Sequence, residues 1–73
     1  MGFGENAAVT SSEQAELSAL TTAVSELRER VASMADRFQS ANDRAEAATA
    51  LFEAERSLRM GERHLERAVR VLG

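Results

Sequence analysis

Gln39-Ser40-Ala41-Asn42-Asp43 is the clearest polar interruption in a sequence that otherwise suits helix from Ser11 to Leu72. How that interruption is read decides the fold. The chain has no proline and only four glycines, and good helix formers (Ala, Glu, Arg and Leu) dominate it. On the N-terminal side of the interruption, Leu17, Leu20, Val24, Leu27, Val31, Met34 and Phe38 alternate steps of three and four. This is the a/d seam of a helix that packs lengthwise on a partner. On the C-terminal side, Leu51, Leu58, Leu65 and Leu72 recur at every seventh position, with Phe52 and Val69 beside them. The leucines stand one residue out of register with the first seam.

A register slip of this kind marks either a stammer in one continuous coiled coil or two separate helices. One helix from Ser11 to Leu72 would be roughly 90 Å long at ~1.5 Å per residue and would need a partner along its whole length. Two helices, about 11–39 and 43–72, are nearly equal and fold back as an antiparallel hairpin, with Ser40 or Asn42 placed to cap the second. The turn has neither glycine nor proline, and Ala41 is not a usual turn residue. Charge favours the hairpin. Residues 1–27 carry Glu5, Glu13, Glu16 and Glu26 and no basic residue, whereas the far end of the chain is rich in arginine. Folding back sets these opposite charges side by side. The expected fold is therefore all-α, an antiparallel two-helix hairpin with heptad seams, and the alternative is one long helix in a coiled coil.

The first helix has a marked start. Thr10 with Glu13 forms a capping box, and Ser11 with Gln14 offers the same chemistry one residue later. Residues 1–10, with Gly2 and Gly4 flanking Phe3, read as a flexible arm, which leaves 11–73 for the hairpin. Gly61 lies between Leu58 and Leu65, which keep the same face, so the second helix is expected to run through it at a cost of ~1 kcal/mol relative to Ala. Gly73 is a natural stop.

The chain has 73 residues and no cysteine, so neither a disulfide framework nor a thiolate metal site supports it. Chains this short bury a limited core, and many depend on association. Two amphipathic helices leave part of each stripe uncovered. Two hairpins packed as a four-helix bundle close the core. We expect a homo-oligomer, a place in a larger complex, or both.

Several function classes are disfavoured. A hydrophobic content of 44% lies outside the disordered range. No apolar run approaches the ~20 residues of a membrane span. Met1–Glu5 has neither the basic segment nor the apolar core of a signal peptide, and Asn6 breaks the myristoylation pattern that Gly2 begins. We expect a cytoplasmic location. All nine basic residues are Arg, which suggests a GC-rich and hence bacterial source. The single histidine, His64, has Gly61 where a Glu-x-x-His metal pair needs a glutamate, and it reads as a surface residue. No nucleophile with a base and no Gly-rich phosphate loop is present, so no enzyme activity and no cofactor or metal is expected.

One charged motif stands out. Arg56, Arg59, Arg63, Arg67 and Arg70 follow each other at steps of three and four, on one face of the second helix. Glu55→Arg59 and Glu66→Arg70, both at i, i+4, support reading it as a solvated outer face. It could also serve as a contact strip for an acidic protein surface, the best fit, for nucleic-acid phosphate or for anionic lipid. Against nucleic acid, no aromatic residue is interleaved with the strip, and the net charge of −3 weakens nonspecific binding. Glu55 and Glu62 fall near the second seam. They either flank the core with their carboxylates in water or set helix pairing by meeting Arg28 or Arg30 of a neighbouring helix. The expected function is a non-enzymatic helical interaction protein: an oligomerisation module, an adaptor or an accessory subunit. The alternative is a nucleic-acid-binding regulator that uses the arginine strip.

Overall fold

The computed structural model describes residues 2–72, with side chains from Ser12 to Leu72. Helix α1 spans Gly2–Gln39, a single 3-10 turn covers Asn42–Arg44, and helix α2 spans Ala45–Leu72. The two helices pack antiparallel, with Arg28 of α1 bonded to both Glu55 and Glu62 of α2. The Cα extents are 64 × 15 × 11 Å. A continuous helix over the same residues would be roughly 105 Å long at ~1.5 Å per residue, so the chain is a hairpin.

The turn forms where polarity predicts it, but by chemistry that composition does not signal. Ser40 donates both its backbone N–H and its hydroxyl to the Asp36 carbonyl, at 3.3 and 3.2 Å. The Ala41 N–H donates to the Phe38 carbonyl at 3.0 Å, and Arg44 N–H to the Ala41 carbonyl at 3.1 Å. Between these bonds Ala41 is extended, at φ −105° and ψ 120°. That conformation is open to any L-residue. Among the described residues none has positive φ, so the reversal needs no glycine. Neither Ser40 nor Asn42 caps α2. The residue before the 3-10 turn is Ala41, and no side chain caps it. The Arg44 guanidinium instead covers the Phe38 ring at 5.1 Å from its centroid. Such a contact is worth ~0.5–1 kcal/mol at an exposed site and ties the turn to the end of α1.

Helix α1 begins at Gly2, where the sequence suggests an arm, followed by a first cap at Thr10 or Ser11. Ala7 and Ala8 are strong helix formers, and no proline stops the helix from running back through them. The Thr10 and Ser11 side chains, and with them the expected capping boxes, lie outside the described residues. So do the side chains of Phe3 and Val9. Arg28 sits between Glu55 and Glu62, which brings Leu72 level with about Gln14. Residues before Ser12 therefore run past the end of α2.

Each helix meets the other through two heptad rows. One row is apolar: Leu17, Val24, Val31 and Phe38 of α1 and Leu51, Leu58 and Leu65 of α2 are all half-buried. The other row is mostly small or polar: Gln14, Thr21, Arg28 and Ala35 face Ala48, Glu55 and Glu62, with the apolar Val69 at its far end. Among the described residues Ala35 and Ala48, 0% and 2% exposed, are the buried apolar ones, and they bring the helices close near the turn. Thr21 suits its inner position because its hydroxyl donates to the Leu17 carbonyl of its own helix at 2.8 Å.

Candidate helix-docking surface

The two rows give the hairpin two unlike sides. On one side Arg28 donates through Nε to Glu62 at 2.9 Å and through Nη1 to Glu55 at 3.4 Å, and Arg59 donates to Glu55 at 2.8 Å. Glu55 is only 9% exposed. Among the described residues no buried side-chain nitrogen or oxygen lacks a hydrogen-bond partner, so the cluster is complete within the chain. Hydrogen bonding by Arg59, then by Arg28, holds the Glu55 carboxyl below the usual carboxylate range against the opposing effect of desolvation. The Arg28 guanidinium is pushed up, chiefly by its bond to Glu62. Of the two arginines that could meet these carboxylates, Arg28 does so. Arg30 lies on the other side.

That other side is open and apolar. The heptad seam of α1 does not act as one stripe within the hairpin. Leu17, Val24, Val31 and Phe38 pack toward α2, but Leu20, Leu27 and Met34 stand on the flank, 49%, 47% and 40% exposed. The reason is geometric. An a/d stripe is wide enough to touch two neighbours, and a hairpin supplies one. Leu27, Val31 and Met34, together with Leu51 of α2 and with Arg30, Ser33 and Arg37 of α1, line a cavity on this side. In an antiparallel pair, residues one position before the polar row lie on the same side of both helices. On α2 those residues are Ala47, Ala54, Gly61 and Ala68. A Cβ built at Gly61 meets nothing within 4 Å.

The other residues singled out by sequence are spread over the surface. Phe52 and Val69 are half-buried, and Leu72 is exposed at the end of α2. Arg56, Arg59, Arg63, Arg67 and Arg70 are all exposed along α2. The Glu55–Arg59 pair forms, which turns Arg59 toward the carboxylate cluster. Among the described residues the remaining four make no ion pair. His64 is exposed, and among the described residues no three potential metal ligands converge. No described helix is long and apolar enough to cross a membrane. Sequence reasoning missed the polar row Gln14–Thr21–Arg28–Ala35. Its seven-residue spacing was the available signal, but a search for large apolar residues passes over it. Compared with known protein families, curated proteins and solved structures, the chain matches none.

Proposed function

We propose that this chain is a non-enzymatic helical interaction protein. It acts by packing its open apolar side against further helices, as a homo-oligomer or as an accessory subunit of a larger assembly. The observation that carries this reading is the exposed Leu20–Leu27–Met34 row beside a cavity lined by four apolar and three polar residues, opposite a side whose buried polar groups, among the described residues, are already satisfied. Contiguous apolar surface of this kind on a small domain marks an interaction site. Sedimentation equilibrium of the purified chain at micromolar concentration is expected to show a dimer or a larger species. A stable, cooperatively folded monomer that takes up no partner overturns the reading.

One observation favours a second reading, a nucleic-acid-binding regulator. Arg56, Arg63, Arg67 and Arg70 are exposed without an ion pair among the described residues. The strip still lacks aromatic neighbours for base stacking, and the chain is acidic overall. Anisotropy titrations against duplex and single-stranded DNA and RNA at ~150 mM salt, where phosphate contacts are already weakened, separate the two readings. No sub-micromolar binding is expected. Sub-micromolar binding that disappears on Arg63→Glu with Arg67→Glu reverses the preference.

A further inference from the structure

Resting on the interaction reading above, we infer that the occupant of the open side is a second copy of this chain, with both turns at the same end. In this arrangement the Leu20–Leu27–Met34 row of each copy seats on the Ala47–Ala54–Gly61–Ala68 row of the other.

Size, register and charge support this assignment. The two rows lie on the same side of the hairpin and share the seven-residue repeat. A two-fold axis along the hairpin makes α1 of one copy the antiparallel neighbour of α2 of the other, in the register seen within the chain. There Arg28 lies between Glu55 and Glu62. That register brings Leu20 level with the Gly61–Ala68 step, Leu27 with Ala54–Gly61 and Met34 with Ala47–Ala54. Large side chains thus meet gaps between small ones, and the apolar rows of all four helices point to one centre. The arrangement also accounts for Gly61. A glycine inside a helix costs ~1 kcal/mol relative to Ala, and nothing within the hairpin needs it, since its φ is not positive and the space beside it is open.

Charge excludes one alternative. Along the outer flank of α1 the order from the open end to the turn is Glu16, Glu26, Arg30, Arg37. Along the outer flank of α2 the same direction reads Arg67, then Glu53 and Glu46. These groups are exposed and, among the described residues, make no ion pair within the chain. With turns together, Glu16 of one copy runs beside Arg67 of the other, and Arg37 beside Glu46 and Glu53. Setting α1 parallel to α2 of the other copy places like charges together. Opposing the turns with α1 against α1 pairs Glu16 with Arg37, but it stacks large residues on large and small on small, which leaves unequal spacing.

Disulfide trapping decides between these arrangements. A Leu27→Cys chain and a Gly61→Cys chain of different mass are mixed, annealed and mildly oxidised. The expected product is the mixed cross-link. A dominant Leu27→Cys homodimer instead means that α1 packs on α1 and overturns the inference, as does the absence of any cross-link. Gly61→Leu provides a second test. Its side chain points into open space in the single hairpin, so helicity should persist while self-association weakens by roughly 100-fold or more. Unchanged association overturns the inference. Sedimentation of the unmodified chain keeps the two claims apart. A monomer that binds other helices removes the second copy but leaves the interaction reading. A monomer with no partner removes both. A dimer with the wrong cross-links overturns the inference but leaves the interaction reading.

Discussion

Ala35→Leu is expected to lower the midpoint of thermal unfolding by about 5–20 °C. Ala35 is fully buried and Ala48 nearly so, and both sit near the turn, where the helices are joined. The added isobutyl bulk has no space there. Overpacking a filled site costs ~1–3 kcal/mol, and each kcal/mol moves the midpoint of a 60–100-residue domain by roughly 4–8 °C. The damage should spread beyond the site. Wedging the helices apart at Ala35 pulls Arg28, one heptad away, from its 2.9 Å bond to Glu62. Far-UV circular dichroism at one fixed protein concentration provides the measurement, because association makes the midpoint concentration-dependent. Ala19→Leu makes the same chemical change on an exposed face and should leave the midpoint nearly unchanged. If the two variants melt alike, the helices are not in close contact at the alanine layer.

The contrast between Ala35 and Leu27 shows which parts of the fold the sequence discloses. Spacing identifies Leu17 to Phe38 as a helix with one apolar stripe, and the polar run after Phe38 locates the turn. The same spacing does not say how a stripe is shared between neighbours. Val24 and Leu27 look equivalent in the heptad pattern, yet Val24 faces α2 and Leu27 faces outward. Burial is decided by the second helix, whose own inner row is set by Ala48, Glu55 and Glu62 as much as by leucines. Small and charged residues carry little weight in a hydrophobic pattern, so Ala35, the most buried apolar residue among those described, was the least visible. The turn was legible by polarity alone. Its conformation was not, since an extended Ala41 has no compositional signature. The carboxylates Glu55 and Glu62 were legible as charges flanking the second seam, but spacing alone left open whether they meet water or an arginine, and it is the height of Arg28 on the other helix that pairs it with both.

Arg28→Glu should reverse the pH dependence of stability. In the unmodified chain Glu55 titrates below its ordinary range because Arg59 and Arg28 bond its carboxylate. The unfolded state then binds the proton more readily than the folded state, so stability rises with pH. The contribution of Glu55 is complete above the ordinary carboxylate value of about 4.3 and is lost as pH falls through its lowered folded value. Arg28→Glu sets a third carboxylate against Glu55 and Glu62, with only Arg59 left as a cation. The Arg59 side chain is 52% exposed against 11% for Glu55 and 15% for Glu62, so solvent screens its help more than it screens the repulsion. Crowded carboxylates titrate upward, and the folded state now takes up protons ahead of the unfolded one. The variant should melt well below the unmodified chain at neutral pH and recover as pH falls through the raised values, over a range where the unmodified chain is flat. Added salt should recover part of the loss. Combining Arg28→Glu with Glu62→Arg restores an opposite pair across the helices and should return the neutral-pH midpoint most of the way. A single variant that melts like the parent at neutral pH, with the same slope toward acid, would show that the cluster contributes nothing to helix pairing.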